Sequence, residues 1–554
     1  MAMGWVALAL LYLGGLFWLG RWGDSDSPLA KRLTSHPAVY SLALAIYCTA
    51  WTFFGSVGEA SRNNWQYLPI LLGPILVYMF GFRFIQKLTL VSKKQHITTI
   101  ADFISSRYGK RQTVALLVTI IALLATIPYV ALQLKAIGSA FQLVSKQQNS
   151  ELIVLIATIF IAFFSIYFGT QKTDVTEYRR GLILAIAFES SVKLLALVVI
   201  AVVAFFMWYP NSTTPLLQSF STPEALSTFK SFPFIAQTIM AGAAIICLPR
   251  QFHVAVVDNL SLEHLKTARW LFPLYLGLIA ITIPIISVAG QTLLANTSAE
   301  PDTYVLEMAL ISGSGFAKIL VFLGGLSAAT AMIIVATLTL STMLTNDVIL
   351  PKLLSKHSTT YHHHNVSKII LVTRRFVIAG LLLLAYLYHN QMGNGRSLAS
   401  IGLIAFSLVI QLLPAIVGGL YWRKGHANGV YAGLISGIIV WVLWFTLLLF
   451  EETSNAQLNN DNISFIAIIS LATNFIAYLI FSYFATERLI DRIQAQAFVA
   501  PREILNNQAN KASISVTTGD LKTLLSTFMG EKRCQRLVED FQHNSNTFTD
   551  ADTA

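Results

Sequence analysis

The chain has 554 residues, of which 55% are hydrophobic and only 12% are charged, and its mean hydropathy is +0.63. Soluble proteins carry roughly a quarter of charged residues, so this composition excludes a soluble enzyme, a disordered chain and a coiled coil. The formal net charge of +11 does not indicate a nucleic-acid partner, because the basic residues lie in short loops between apolar segments. The sequence therefore predicts a polytopic helical membrane protein.

Apolar stretches long enough to cross a bilayer as helices recur along the chain. About thirteen are predicted, at 2–20, 40–58, 67–87, 113–141, 152–169, 181–208, 234–250, 270–294, 315–344, 368–389, 398–421, 428–450 and 463–484. The first has no charged segment before it and no cleavage site after it, which favours a retained span over a signal peptide.

The loop charges alternate along the chain, which indicates an orientation. Basic residues concentrate in every odd-numbered loop: Arg21, Lys31, Arg32, Lys93, Lys94, Arg107, Lys110, Arg111, Lys172, Arg179, Arg180, Arg250, Lys266, Arg269, Lys352, Lys356, Arg423 and Lys424. The even-numbered loops hold only Arg62, Lys146, Lys230 and Arg396. By the positive-inside rule, the N-terminus is periplasmic and the C-terminus is cytoplasmic.

The chain becomes polar after the last span. Residues 485–509 resemble a linker, 510–543 contain two short amphipathic helical patterns, and 544–554 form a polar tail. The predicted organisation is a transmembrane domain over 1–484 followed by a small cytoplasmic helical module.

Two of the spans contain helix-breaking patterns. The second runs through Cys48, Trp51 and Thr52 to a glycine-rich outer half, and the seventh contains Gln237, Met240, Gly242 and Pro249. In transporters built from inverted repeats, the freed backbone groups of broken helices bind substrate and ions. The breaks are five spans apart, as a five-plus-five repeat requires, although small residues also serve close helix packing.

Charged side chains inside spans are rare and costly, so each is a candidate. Glu189 and Lys193 are four residues apart in the sixth span and therefore share a helix face, as a structural ion pair or as proton carriers. Lys135 is near the outer end of its span, where it can snorkel. The run 361–364 is typical of a surface loop and not of a metal site, and no nucleotide or dinucleotide motif appears, so no metal or cofactor is predicted.

Three stretches resemble the sodium/solute symporter family. They are Trp51-x-x-x-Gly55, the segment Thr98–Gly109, and Pro414-x-x-x-Gly418-Gly419-Leu420-Tyr421-Trp422-Arg423 with its glycine-rich continuation. The resemblance implies an all-α, LeuT-like five-plus-five inverted repeat with one extra N-terminal and two extra C-terminal helices. It also implies a transporter, not an enzyme, in a bacterial inner membrane.

Two further segments, Leu248–His253 and Phe188–Lys193, resemble the transporter-like sensor domains of CbrA-type histidine kinases, which are associated with histidine. Residues 510–543 are similar to the STAC domain of those proteins. The resemblance implies sensory input to a two-component system, with a histidine kinase or response regulator as partner. The chain ends before any kinase catalytic region.

The family's main sodium site implies backbone carbonyls at Ala45 and Cys48 and a small residue at Ala328. Its two hydroxyl positions then fall on Ala331 and Met332, which offer no oxygen ligand for a hard cation. Thr330, one residue away, can supply a hydroxyl if the register shifts. Proton coupling or facilitated uptake is therefore at least as well supported as sodium coupling, with Glu189, Lys193 and His253 as proton or gating candidates.

By analogy with the fold, the substrate contacts are Cys48, Trp51, Thr52, Tyr129, Gln133, Gln237, Met240 and Gly242. Trp51 and Tyr129 can stack on an imidazole ring, and backbone at the breaks can bind the ammonium and carboxylate of an amino acid. The function predicted is import of a small amino acid, with L-histidine as the best candidate. The alternatives are a receptor that binds ligand without net transport and, with less support, a channel.

Overall fold

The fold is all-helical throughout the part of the chain that the structure describes. The computed structural model describes residues 2–146, 150–169, 179–211, 218, 220–351, 363–391, 397–451, 460–501 and 535. Residues 1–499 form one compact unit and 500–554 a second. The proposed module 510–543 and the tail 544–554 lie outside the described residues except for position 535.

Twenty-two α-helices follow in order within the described ranges. The first ten are α1 (Ala2–Gly23), α2 (Pro28–Thr34), α3 (Pro37–Ala43), α4 (Ser56–Asn63), α5 (Pro69–Phe80), α6 (Phe82–Lys94), α7 (Ile100–Arg107), α8 (Gln112–Ser145), α9 (Ser150–Gly169) and α10 (Arg180–Trp208). The remainder are α11 (Pro223–Ser227), α12 (Phe232–Cys247), α13 (Pro249–Phe252), α14 (His264–Leu293), α15 (Tyr304–Ile311), α16 (Gly315–Met343), α17 (His363–Gln391), α18 (Leu398–Val409), α19 (Leu413–Tyr421), α20 (Ala427–Glu451), α21 (Asn460–Tyr483) and α22 (Leu489–Val499).

Nine helical segments of the described chain are long and apolar enough to cross a membrane, and three bent helix pairs raise the number to twelve. A shorter apolar helix, Glu151–Tyr167, corresponds to the remaining predicted span at 152–169. The count from sequence therefore agrees with the helices, if the bent pairs and this shorter helix each cross once.

The packing repeats after five spans. Spans two and three (α3 with α4, and α5) pack against spans seven and eight (α12 and α14) and form one bundle. Spans four and five (α8 and α9) pack against spans nine and ten (α16 and α17). Helix α10 lies against α3, α14 and α16, and α18 lies against α8, α12 and α21. The two halves of the repeat thus contribute equivalent spans to each layer.

Close approach between α5 and α12 depends on glycine. A Cβ atom on Gly73 would lie 2.5 Å from the backbone nitrogen of Gly242. Membrane helices gain little from hydrophobic contact with each other, so small residues that admit close van der Waals packing hold them together. Gly242 lies within the continuous helix α12, so the structure gives it the packing role and places no break there.

Two predicted segments differ from the helices of the structure. The span expected over 67–87 bends by 76° between α5 and α6, because Gly81 interrupts the helix and amphipathic α6 follows. The linker expected over 485–509 contains α22, which docks on the membrane domain through the buried Phe498. Lys87 Nζ also donates to the Val499 carbonyl at 2.8 Å.

Candidate functional site

The second span is broken where the sequence predicts. A 3₁₀ turn, Leu44–Tyr47, follows α3, and Cys48 then takes an extended conformation with ψ of 102°. A π turn, Trp51–Gly55, resumes the helix, and the two parts of the span differ in direction by 73°. Carbonyl oxygens at such a helix end lack the amide partners of a continuing helix, and they attract cations.

Lys193 binds the carbonyls at this break. Its Nζ donates to the Ala45 oxygen at 2.9 Å and to the Cys48 oxygen at 2.6 Å. The side chain is 2% exposed and reaches the break from α10. These are the two carbonyls that the sequence predicts as ligands of a coupling ion. The ammonium group of Lys193 binds them in the structure.

Glu189 has a different partner. Thr330 Oγ1 donates to Glu189 Oε1 at 2.9 Å, and both side chains are buried. The Thr330 hydroxyl, which was predicted to supply an ion ligand if the register shifted, therefore donates to a carboxylate. The neighbouring Ala328, Ala331 and Met332 are buried as well and offer no side-chain oxygen.

Helix α8 covers the other side of the break. Gln133 Oε1 accepts a hydrogen bond from the Ala50 amide at 3.0 Å, and the Tyr129 and Thr49 hydroxyls are 3.0 Å apart. Tyr129 and Gln133 thus satisfy the backbone and side chain immediately after Cys48. Thr49 was not among the sequence candidates, although its position next to Cys48 pointed to it.

Three aromatic rings meet beside the break. The Trp51 ring centroid lies 5.0 Å from that of Phe406 and 6.4 Å from that of Tyr129, and Tyr129 stacks on Phe406 at 5.9 Å. Gly402 makes room for the indole, since a Cβ atom there would lie 2.2 Å from it. Phe406 was missed because a phenylalanine in an apolar run has no distinguishing signal.

The candidates on α12 lie on a different side of this cluster. Gln237 Nε2 donates to Ser464 Oγ at 3.0 Å, and Met240 is fully buried. Gln237 and Trp51 line the same cavity of about 20 Å³, which has room for about one water molecule. Thr52 is buried next to Trp51.

A larger cavity of about 290 Å³ lies toward the predicted outer ends of the spans. Its wall includes Arg62, Lys135 and Asp302, of which Arg62 and Asp302 form an ion pair. Asp302 Oδ2 also accepts the Leu398 amide at 3.0 Å, so this pair connects the outer part of the second span to the start of α18.

The seventh span breaks at Leu248, whose ψ of 123° separates α12 from the four-residue α13. Gln251 Nε2 donates to the Leu44 carbonyl at 3.1 Å, so the second break contacts the first. The Arg250 guanidinium lies 4.5 Å from the Tyr129 ring centroid and is 2% exposed. The expectation that Arg250 is a loop cation is therefore wrong: the break turns it into the protein interior. The sequence feature that indicates this break is the Leu248–Pro249 step.

His253 follows on the predicted cytoplasmic side as part of a π turn, His253–Val257. Its Nε2 is 3.5 Å from Asp258 Oδ2. Burial, together with the positive charge of Arg179, lowers the pKa of His253 to about 3. Burial raises the pKa of Asp258 to about 7. His253 is neutral near pH 7, and Asp258 is the member of this pair that changes charge there.

No group of three histidine, cysteine or acidic side chains in the described ranges could hold a metal ion. His362 of the 361–364 run lies outside those ranges.

Comparisons with known proteins agree with this architecture. No family profile matches the chain. The uncharacterized symporter YodF of Bacillus subtilis (strain 168) is 25% identical over 416 residues, which are 73% of this chain and 78% of that protein.

Among solved structures, a Na⁺-coupled sialic acid symporter in a substrate-bound outward-open state superposes with a TM-score of 0.64. The match is 12% identical and covers 87% of this chain and 98% of that one. The chain is therefore a multi-pass membrane protein with a LeuT-like transporter fold, and it is similar in sequence to a symporter.

Proposed function

We propose that the protein is a secondary transporter that imports a small amino acid, L-histidine being the first candidate, and couples this import to protons and not to sodium. The observation that carries the coupling is the Lys193 ammonium on the Ala45 and Cys48 carbonyls. A second cation on the same oxygens would lie within a few ångströms of a buried positive charge, where Coulomb repulsion is weakly screened.

Release of a proton neutralises Lys193 and leaves its side chain attached to the protein, whereas a sodium ion on the same carbonyls would have to leave the site itself. Neutral Lys193 keeps two N–H donors but no charge, so loss of the proton weakens its hydrogen bonds to the two carbonyls and with them the contact between α10 and the break. Glu189 is one helical turn away from Lys193 on the same helix face. It is the acid closest to Lys193 in the sequence and is the candidate to exchange the proton with it. Such a change at a helix break is the kind of event that shifts a transporter between its two access states.

The experiment is uptake of radiolabelled L-histidine into proteoliposomes under imposed proton or sodium gradients. We expect accumulation with a proton gradient, abolished by a protonophore, and no stimulation by sodium. Lys193→Met should lose proton-driven accumulation at least tenfold. Lys318→Met, which changes a partly exposed lysine at the start of α16, should retain it. Accumulation driven by sodium alone would refute the coupling.

A receptor without net transport is the second candidate. Its support is that Ala331 and Met332 lack ligating oxygens, because a protein that has lost its ion site can still bind ligand. In the same proteoliposomes, saturable histidine binding with no accumulation under either gradient would favour the receptor.

We also propose that residues 510–543 transmit the state of the membrane domain to a histidine kinase or response regulator. The support is the resemblance of this segment to a STAC domain, and the proposed cytoplasmic C-terminus would place it on the correct side. Removal of 510–554 should leave histidine uptake intact and abolish a histidine-dependent change in kinase output.

A further inference from the structure

Arg250 is a buried cation with unused hydrogen-bond donors. The residue is 2% exposed, and its Nε and Nη2 atoms have no hydrogen-bond partner. Its guanidinium lies over the ring of Tyr129, 4.5 Å from the centroid, and also hydrogen-bonds that side chain, which leaves Nε and Nη2 without partners. Buried polar groups are nearly always hydrogen-bonded in native proteins, so these two vacant donors require an explanation.

The two vacant donors lie on one edge of the guanidinium. The Nε and Nη2 hydrogens point in the same direction, and their spacing matches the two oxygens of a carboxylate. A single guanidinium edge binds a planar carboxylate in two parallel hydrogen bonds, whereas a lysine offers a point charge without this geometry. The vacant edge therefore favours a carboxylate over other small groups.

The charges around the breaks also favour an anion. Lys193 and Arg250 are both buried here, and the charge of Arg250 acts on Lys193. Glu189 is the buried acid that interacts with Lys193, and its carboxylate accepts the Thr330 hydroxyl. The electrostatic partners of Arg250 are Tyr129 and Tyr47, and no carboxylate of the described residues is among them. One positive charge is thus left for a ligand to balance.

The surroundings of Arg250 suit a small organic acid. Tyr129 lies under the guanidinium and stacks on Phe406, and Trp51 contacts Phe406 from the other side. These rings offer an aromatic surface beneath the guanidinium. Helix α13 carries Arg250 between the extended Leu248 and the π turn from His253, so its position depends on few regular helical hydrogen bonds.

We propose that Arg250 binds the carboxylate of the transported substrate through its Nε–Nη2 edge, with Tyr129 as the platform. The inference deepens the proposed function and rests on it for the statement that the bound molecule is transported. It differs from the expectation that backbone alone binds the carboxylate. It also restricts the substrate to molecules that carry a carboxylate.

The test is thermal unfolding of the purified full-length protein with and without ligand. The probes are L-histidine and L-histidinamide, which replaces the carboxylate with a neutral amide. The variants are Arg250→Gln and Arg250→Lys, with Arg32→Gln as an exposed control on α2. We expect wild type and Arg32→Gln to be stabilised by histidine and not by histidinamide. Both Arg250 variants should bind histidine at least tenfold more weakly.

The unliganded variants separate a binding role from a structural one. Removal of an unpaired buried charge should leave the melting temperature of unliganded Arg250→Gln equal to that of wild type or raise it. A lower melting temperature in both Arg250 variants would overturn the proposal, because Arg250 would then stabilise the fold. Equal affinity of wild type for histidine and histidinamide would overturn it too.

Histidine can be the wrong substrate even if Arg250 binds a carboxylate. If histidine does not stabilise wild type, acetate, propionate, pyruvate and benzoate are tested in its place. Stabilisation of wild type but not of Arg250→Gln by one of them would support the role of Arg250 and reject histidine as substrate. Absence of stabilisation by every carboxylate would overturn the inference.

Discussion

Lys193 and Arg250 show two ways in which a buried cation is accommodated next to a helix break. Burying a charge is costly unless hydrogen bonds compensate it. The Lys193 ammonium donates to two carbonyl oxygens, whereas the Arg250 guanidinium packs on the face of an aromatic ring and keeps two N–H donors unpaired. Only the second residue is therefore prepared to bind something that is not part of the chain.

The carbonyls at Ala45 and Cys48 could be predicted from the break pattern and the family resemblance, but their partner could not. The i, i+4 spacing placed Glu189 and Lys193 on one face of α10, and this suggested that they bind each other. In the structure they bind Thr330 and the break carbonyls, respectively. Sequence spacing describes neighbours on one helix, whereas a long side chain selects its partner from the helices that pack around it.

His253 and Asp258 predict opposite dependences of stability on pH. The pKa of buried His253, about 3 against an ordinary 6.5, means that it stabilises the fold fully above pH 6.5 and loses this contribution as the pH falls. The pKa of buried Asp258, about 7 against 3.8, means that its contribution is complete below pH 3.8 and is lost as the pH rises toward 7. In the wild type the two contributions oppose each other.

The single variants should separate these contributions. Relative to wild type at each pH, His253→Asn should gain stability as the pH is lowered through the range below 6.5, and Asp258→Asn should gain stability as the pH is raised toward 7. Melting temperatures measured over a series of pH values provide the comparison. If both variants changed in the same direction with pH, the assigned protonation states would be wrong.

At the scale of elements, two of the stretches that resemble the symporter family contact each other. Arg107, at the end of α7, donates from Nε to the Gly419 carbonyl at 2.9 Å and from Nη2 to the Trp422 and Arg423 carbonyls at 2.8 and 3.2 Å. The last carbonyls of a helix lack intrahelical partners, and a cation there is favoured by the helix dipole. The stretch Thr98–Gly109 thus supplies the cap for α19, which lies in the stretch that begins at Pro414.

Arg107→Lys should destabilise the protein by about 2 kcal/mol, because a lysine cannot reach all these carbonyls and a buried acceptor left unpaired costs about 1–3 kcal/mol. The matched control is Arg32→Lys, which changes an exposed arginine on α2. Substitutions at exposed positions away from buried contacts usually change stability by less than about 0.5 kcal/mol. Thermal unfolding in detergent measures both, and equal losses would contradict the capping role.

Most elements could be predicted from apolar length, and the break of the second span from its pattern, but the bend between α5 and α6 could not. The run over 67–87 is long enough for one straight span, and the contacts of α6 show where the chain goes after Gly81. Lys87 Nζ lies 4.4 Å from the Tyr421 ring centroid and also bonds the Val499 carbonyl. Both partners are more than 300 residues away in the sequence, where no local pattern could indicate them.

At the scale of the molecule, the charge alternation predicts which loops face the cytoplasm. Buried cations such as Arg107 and Arg250 were counted in that alternation, but the remaining loop residues still support it. The test uses a Cys534→Ser background, in which the buried Cys48 and Cys247 are the native thiols that remain. An added cysteine is then labelled with a membrane-impermeant maleimide.

Ser298→Cys, in an exposed predicted outer loop, should be labelled in intact spheroplasts. Gln112→Cys, exposed at the start of α8, should be labelled only after lysis. The reverse result would mean that the N-terminus is cytoplasmic.

The cap made by Arg107 also has a consequence for biosynthesis. The ribosome makes Arg107 312 residues before Gly419. At roughly 5–20 residues per second, about 15–60 s pass before the first of its carbonyl partners exists. During that time the first half of the transporter carries a guanidinium whose final position is buried and whose partners are missing. The contacts between this end of α7 and α19, on the predicted cytoplasmic side, can therefore form only after the eleventh span has been made.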